Sequence, residues 1–180
     1  MELRPVSSRD LDFLIEMTLL AAFPPGSLPD AAPDLPHAKR WFDDWGRPAD
    51  RGVVAWHDGR RLGAAWCRLQ ERVLVRDPAG QPVPELAIAV VPDHRAGGVG
   101  TRLLAELVRT AARADYSALS LTVNAANPAV RLYERSGFDL VRRDGDRLTM
   151  VKWLMGDSAP PSPEASLAPL RPRRWPVQSG

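Results

Sequence analysis

Apolar side chains recur every three or four residues in three stretches of the chain, and this spacing predicts three helices. The first covers residues 8–23 and stops at a pair of prolines. The second runs from Gly98 to about Arg113 and presents a stripe of leucine, valine and alanine on one side. The third runs from Pro128 to about Arg135, and a proline suits the first position of a helix.

Shorter apolar runs between these helices predict β-strands. The run 85–91 is apolar on both faces, as expected of a strand in the middle of a sheet. Asp58-Gly59 separates two other runs, and an Asp-Gly pair in that position is a strong signal for a hairpin. Because strands and helices alternate from Glu85 to Val141, the order predicts an α/β domain. The predicted strands cover residues 52–56, 61–69, 85–91, 119–123, 138–141 and 148–154.

Prolines mark the parts of the chain that fit neither pattern. Of the 18 prolines, six lie within residues 24–48 and six within residues 157–180. A short helix over about 37–45 fits inside the first stretch, with three aromatic residues on one face, and the rest of that stretch is predicted to be loop. The second stretch has no apolar periodicity and is predicted to be a disordered tail. The folded domain is therefore expected to cover residues 1–156.

Composition and charge narrow the class of protein. A chain of 180 residues with 44% hydrophobic and 26% charged residues matches one ordinary globular domain. The single cysteine, Cys67, cannot form an internal disulfide or a metal site of several cysteines. A net charge of +2 disfavours nucleic acid as a partner. Acidic residues interrupt the apolar run 11–23, and no run reaches the roughly 18 residues that cross a bilayer. These features predict a cytoplasmic protein that binds neither nucleic acid nor membrane.

A glycine-rich segment follows the run 85–91 and opens the second helix. Gly97, Gly98 and Gly100 allow backbone conformations closed to other residues and let a ligand approach the chain closely. The first N–H groups of a helix lack partners inside the helix and favour an anion. With the positive charge of Arg95, they predict a diphosphate site. The spacing matches neither Gly-x-Gly-x-x-Gly nor the P-loop, which requires a lysine after the glycines.

Two motifs carry a resemblance to a known family. The first is Arg95-x-x-Gly98-x-Gly100, between an apolar strand and an amphipathic helix. The second is the segment 127–138, Asn-Pro-Ala-Val-Arg-Leu-Tyr-Glu-Arg-Ser-Gly-Phe. Together they resemble the acetyl-CoA loop and the downstream Asn…Leu-Tyr-Glu-x-x-Gly-Phe segment of the GNAT superfamily of N-acetyltransferases. The resemblance spans about residues 53–154 in element order and implies an α/β fold with a mixed, splayed central sheet flanked by helices.

The resemblance also implies which residues hold acetyl-CoA, the acetyl donor. In relatives the strand before the glycine-rich loop pairs with the pantetheine arm, and the loop amides hold the pyrophosphate. An asparagine of the second motif belongs to the site; here it is Asn127, with Asn124 as the alternative, because many relatives have one more residue between the asparagine and the tyrosine. No metal is implied. The implied binding residues are Ile88, Ala89, Val90, Arg95, Ala96, Gly97, Gly98, Val99, Gly100, Thr101 and Asn127.

The family's reaction is direct attack of an amine on the acetyl carbonyl. Tyr133 occupies the position where relatives often place a tyrosine near the sulfur, so the resemblance implies that it protonates the departing thiolate. Glu85, at the start of the central strand, is the expected base, with Glu71 and Asp93 as alternatives. In relatives the N-terminal helices and loops bind the acceptor, a small-molecule or peptide amine; here they correspond to about residues 20–50.

Two other functions fit the same motifs. The chain would also carry them if it transferred another acyl group from its CoA thioester, or if it were a CoA-binding sensor without catalysis. Turnover separates the sensor from both transferases, and comparison of several acyl-CoAs separates the two transferases. The family is also compatible with a homodimer.

Overall fold

Seven strands form one mixed sheet in the part of the chain that the computed structural model describes, residues 1–23 and 34–154. The strands are β1 (Glu2–Pro5), β2 (Arg51–His57), β3 (Arg60–Arg68), β4 (Glu85–Val90), β5 (Ala118–Asn124), β6 (Asp139–Asp144) and β7 (Arg147–Trp153). The helices are α1 (Leu11–Ala22), α2 (Pro36–Lys39), α3 (Val99–Arg113) and α4 (Val130–Arg135). Across the sheet the order is β1-β2-β3-β4-β5-β7-β6, and only β4 and β5 pair in parallel.

The hairpin predicted at Asp58-Gly59 is confirmed, and its turn shows why the sequence specifies it. Asp58 and Gly59 have φ angles of 47° and 75° between β2 and β3. A two-residue turn with positive φ at both central positions has a twist that matches that of the flanking strands. Gly145, with φ of 56°, lies at the turn between β6 and β7.

The sheet divides between its two parallel strands. Glu85 of β4 pairs with Ser120 of β5, and the Ser120 N–H donates to the Pro84 carbonyl at 2.9 Å. Beyond this point the two strands have no ladder, although β4 pairs along its whole length with β3 and β5 along its whole length with β7. The predicted splayed sheet is therefore confirmed, and its closed end is at Glu85.

Helices cover both faces of the sheet, and strand alternation assigns residues to each face. Val53 and Ala55 of β2 lie in the core under α3, whereas Val54 between them lies in the core under α1 and α2. The second core is rich in aromatic rings, and Trp41 meets Trp66 edge to face at 6.2 Å between centroids. None of the described helices is long and apolar enough to span a membrane.

The predicted helix over 37–45 is shorter than expected. Regular helix covers only α2, and irregular turns follow up to Gly46. Asp44 and Gly46 have φ angles of 53° and 109°, which a right-handed helix cannot contain. Carbonyl groups of this segment instead accept hydrogen bonds from Arg68 of β3. A tertiary contact thus overrides the local helical pattern.

The first strand was not predicted. Only four residues form β1, and three of them are exposed at the edge of the sheet. An edge strand this short gives no readable alternation. The predicted loop residues 24–33 and the predicted tail 157–180 lie outside the described residues. Cys67 is buried in β3 as a small apolar side chain, and burial raises the pKa of its thiol to about 12.

Candidate active site

The glycine loop, residues 95–101, connects the end of β4 to the start of α3. Ala96 and Gly98 have φ angles of 61° and 78°, so the backbone turns twice through the left-handed region. The Arg102 N–H donates to the Gly98 carbonyl at 3.1 Å. The N–H groups of the first helical turn precede that bond and have no acceptor within the helix. Most of the loop is exposed, so these groups can reach an anion from solvent.

Gly100 brings the two sequence motifs together. A Cβ atom built on Gly100 would lie 3.5 Å from Leu132 Cδ2 and 3.7 Å from Val90 Cγ2. The start of α3 therefore lies against both α4 and the end of β4. Segments about 30 residues apart in sequence are thus in contact.

Arg95 lies just after β4, the strand that separates from β5. Its Nε donates to the Val90 carbonyl at 3.1 Å, and the side chain is exposed. This hydrogen bond holds a positive charge beside the glycine loop, where an anionic ligand would meet both.

The edge of β4 that faces β5 is the second element of the site. Ile88, Ala89 and Val90 pair with β3 on one side. On the other side, the described part of β5 forms no ladder with them. Backbone groups on an unpaired strand edge can bind an extended ligand in the way that an added strand would bind.

Tyr133 is buried in α4, in the same core as Leu86 of β4 and Leu121 of β5. It is 7% exposed and packs edge to face against Phe138, with 5.9 Å between ring centroids. Burial raises the pKa of its phenol to about 12, so the group keeps its proton across the neutral and mildly alkaline range. Its hydroxyl makes no hydrogen bond within residues 1–23 and 34–154 and can therefore donate to a ligand.

Both candidate asparagines stabilise turns. The Asn127 side-chain oxygen accepts from the Ala129 N–H at 2.9 Å and forms a turn just before α4, whose own N-cap is Ala129. The Asn124 oxygen accepts from the Ala126 N–H at 2.9 Å, directly after β5. Both residues are exposed, and both leave their amide N–H₂ groups free for a ligand within the described structure.

Glu85 lies at the closed end of the splay and is only 4% exposed. Its carboxylate accepts two hydrogen bonds from Arg40, at 3.0 and 3.3 Å. A third donor is the Thr122 hydroxyl, 3.3 Å from Oε1. Glu71 and Asp93, the alternative bases, are exposed. Among the three carboxylates named from the sequence, Glu85 alone is buried at the splay.

A cavity of about 180 Å³ lies along β5 beyond the closed end of the splay. Thr122, Val123, Asn124 and Arg147 line it. Because the Thr122 hydroxyl contacts Glu85, the buried carboxylate lies one side chain away from this cavity.

Arg68 is a buried cation that supports the 34–50 segment next to the candidate site, and the sequence pattern does not predict this role. Its guanidinium forms a two-point ion pair with Asp50, at 3.1 and 3.0 Å. Its other N–H groups donate to the carbonyls of Arg40, Asp43 and Asp44, at 3.1, 3.0 and 3.5 Å. These five contacts match the five donors of a guanidinium. The segment 34–50 is thereby folded around a single buried cation.

The signal for Arg68 was present but ambiguous. An arginine at the end of an apolar strand usually extends into solvent, and nothing local indicates that Asp50 lies opposite it. Asp50 also accepts from the backbone N–H groups of Gly46 and Arg47, and the Tyr116 hydroxyl donates to the Ala49 carbonyl at 2.6 Å. These partners become visible only when the segment is folded.

Replacing Arg68 by Lys is expected to lower the free energy of unfolding by about 2 kcal/mol, because an ammonium offers one nitrogen where the site requires a planar fork. Urea denaturation measures this change. The matched control is Arg76→Lys, since Arg76 is exposed and donates to one carbonyl, that of Gly80. The control should change stability by less than about 0.5 kcal/mol. Equal effects of the two replacements would contradict the structural role of Arg68.

An unpaired strand edge beside an anion-binding helix start is the arrangement that the resemblance implied for an acyltransferase. Residues 16–138 match the model of the acetyltransferase (GNAT) family. The match covers more than half of the chain, and the chain therefore belongs to the GNAT family of acetyltransferases. No curated protein sequence matches it.

Solved structures share this fold. A putative acetyltransferase from Salmonella typhimurium, solved with its cofactor acetyl-CoA, has 19% identity and a TM-score of 0.67, covering 90% of this chain and 98% of its own. A phosphinothricin acetyltransferase from Sinorhizobium meliloti in complex with acetyl-CoA has 25% identity and a TM-score of 0.65, covering 89% and 92%. A ribosomal-protein-alanine N-acetyltransferase from Brucella melitensis has 23% identity and a TM-score of 0.64, covering 86% and 100%.

Proposed function

We propose that this protein is an N-acetyltransferase that transfers the acetyl group of acetyl-CoA to a primary amine by direct attack. One observation carries the proposal: the glycine loop at the start of α3 lies directly beside the unpaired edge of β4. The loop can bind an anion and the adjacent strand edge can bind an extended chain, so together they suit a ligand with a pyrophosphate and a long amide-containing arm. Two solved structures with this fold were determined with acetyl-CoA, which supports the choice of donor.

The residues present fit that donor. The backbone amides of Ala96, Gly97, Gly98, Val99, Gly100 and Thr101 and the guanidinium of Arg95 would hold the pyrophosphate. The backbone of Ile88, Ala89 and Val90 would pair with the pantetheine arm. Asn127, through its free amide N–H₂ group, would donate to the same arm. Acetyl-CoA supplies the activated carbonyl, backbone groups hold it, and side chains would transfer the protons.

Tyr133 and Glu85 would move the two protons. The acceptor nitrogen forms a bond to the carbonyl carbon, the carbon–sulfur bond breaks, and the leaving sulfur takes a proton from the Tyr133 phenol. The acceptor loses its proton to Glu85, with the Thr122 hydroxyl between the carboxylate and the neighbouring cavity. The products are an acetylated amine and free CoA.

The test is a calorimetric titration of the protein with acetyl-CoA, followed by assay of CoA release with a panel of small-molecule and peptide amines. Binding together with amine-dependent release supports the proposal. Binding without release by any amine or any acyl-CoA indicates a sensor, and faster release from a longer acyl-CoA indicates another acyl donor. No binding at millimolar acetyl-CoA overturns the proposal.

A further inference from the structure

The guanidinium of Arg40 lies against the carboxylate of Glu85, the proposed base. Arg40 follows α2 and contacts both oxygens of the Glu85 carboxylate, at 3.0 and 3.3 Å. The guanidinium also lies over the ring of Trp41, 4.8 Å from its centroid. The Glu85 side chain is 5% exposed, whereas that of Arg40 is 38% exposed. The pair thus consists of a fixed buried anion and a cation that reaches it from the surface.

The two ion pairs of this region differ in how firmly the cation is held. Arg68 is fully buried, and all its donors are used by Asp50 and backbone carbonyls. Glu85 lies opposite Arg68 in the β3–β4 ladder, but its carboxylate receives no hydrogen bond from the Arg68 guanidinium. Within the described residues, Arg40 is therefore the only cation that hydrogen-bonds to Glu85.

The backbone of Arg40 stays in place when its side chain moves. Its carbonyl accepts from Arg68 at 3.1 Å, and its N–H donates to the Pro36 carbonyl at 3.2 Å. The side chain can consequently rotate into solvent without unfolding the 34–50 segment. A buried carboxylate left alone would be strongly destabilised, so the departure of Arg40 requires another cation in the same position.

We propose that Arg40 occupies the position of the acceptor, and that the acceptor is an aliphatic amine that enters as an ammonium ion and replaces the guanidinium at Glu85. This inference rests on the proposed function, because it assigns the substrate class of the same site. The ammonium then gives one proton to Glu85, which passes it to solvent through the cavity next to Thr122. The neutral nitrogen attacks the acetyl carbonyl and gives its second proton to the Glu85 carboxylate, and the Tyr133 oxygen regains a proton from solvent after it has protonated the sulfur. Arg40 returns when the product, an uncharged amide, no longer pairs with the carboxylate.

The chemistry of Arg40 defines the class of acceptor. The side chain combines a cation, a stem of three methylene groups and contact with an aromatic face. An alkylamine or a lysine-like amine reproduces all three features. An α-amino acid places a carboxylate beside its nitrogen, and that carboxylate would be repelled by Glu85. The expected acceptor therefore has no carboxylate on the carbon that carries the amine.

The direct experiment measures the affinity of the protein for methylguanidinium by calorimetric titration in the absence of acetyl-CoA. In Arg40→Ala, binding is expected to be at least ~10-fold tighter than in the parent, because a tethered group competes at an effective concentration in the millimolar range. The gain should vanish in the double variant Arg40→Ala/Glu85→Gln. The matched control is Lys39→Ala, which removes the same charge from the neighbouring residue, whose side chain is 42% exposed and pairs with Asp34.

The kinetic experiment uses the same variants with a panel of amines. In Arg40→Ala, the KM of an aliphatic amine is expected to fall about 10-fold with little change in kcat. Lys39→Ala should leave both constants unchanged. The variant Arg40→Lys retains a cation but offers one nitrogen to the carboxylate instead of two. Its methylguanidinium affinity and its amine KM should lie between those of the parent and of Arg40→Ala. This variant remains informative if the alanine variant does not fold.

Three results would overturn the inference. The first is that folded Arg40 variants bind methylguanidinium with the same affinity as the parent. The second is that the KM for amines rises when Arg40 is replaced. The third is that the parent turns over α-amino acids faster than alkylamines. The methylguanidinium titration needs no acetyl-CoA. A parent that fails to bind acetyl-CoA would therefore refute the proposed reaction, while the titration would still decide whether Arg40 blocks a cation site.

Discussion

Replacing Tyr133 by Phe is expected to lower kcat about 100-fold, at the lower end of what a positioned proton donor contributes. The phenol is the proposed source of the proton for the leaving sulfur. Burial raises its pKa to about 12, so it remains protonated up to about pH 11 and this donor is not lost at ordinary assay pH. Acetyl-CoA affinity and stability should change little, because the hydroxyl has no hydrogen-bond partner in the described structure.

The chain offers a matched control for this replacement. Tyr116 is the other of its two tyrosines, and its hydroxyl donates to the Ala49 carbonyl. Tyr116→Phe should lose about 1 kcal/mol of stability and keep kcat within about threefold. Steady-state kinetics, calorimetric titration with acetyl-CoA and urea denaturation separate the two cases. A Tyr133→Phe variant whose kcat stays within threefold of the parent would show that another group protonates the sulfur.

The sequence predicts the elements of this fold whose causes are local. Asp58-Gly59 predicts a hairpin because both residues tolerate the positive φ that the turn requires. The run 85–91 predicts a central strand because it is apolar on both faces. Gly137 has a φ of 78° and follows α4, where a glycine commonly ends a helix.

The parts that sequence could not predict depend on contacts between distant residues. Arg40 and Glu85 are 45 positions apart, and Arg68 and Asp50 are 18 positions apart. No local pattern connects such partners. The α2 segment illustrates the consequence, since its apolar spacing predicts a longer helix than the one that forms when Arg68 binds its carbonyls.

The candidate site divides in the same way. Glycine spacing and the Leu-Tyr-Glu motif lead from the sequence to the proposed donor side, because the chemistry proposed there depends on backbone freedom and one tyrosine. The acceptor side depends on which charged side chains meet at Glu85, and the meeting of Arg40, Thr122 and Glu85 follows only from the packing of α2 against the splayed sheet. Two relatives with this fold carry names of different acceptors, so the acceptor has to be inferred from residues of this chain.

Replacing Gly98 by Asp is expected to weaken acetyl-CoA binding about 1,000-fold, because a carboxylate close to the pyrophosphate costs several kcal/mol at the dielectric of a protein surface. The matched control is Gly98→Asn, which has nearly the same shape and tolerates the left-handed φ of 78° about as well, but carries no charge. A Cβ atom at this position meets nothing within 4 Å, so the structural cost of either variant is the strain of a side chain at this positive φ, which the two variants share.

The comparison of the two Gly98 variants isolates charge from crowding. Asn should cost about 10-fold in affinity through crowding alone, and the remaining difference between Asn and Asp should shrink as salt is raised, because added ions screen an exposed charge pair. Calorimetric titration at two ionic strengths measures both effects. Equal affinities of the Asp and Asn variants would place the pyrophosphate away from the start of α3, and the assignment of the glycine loop would then be wrong.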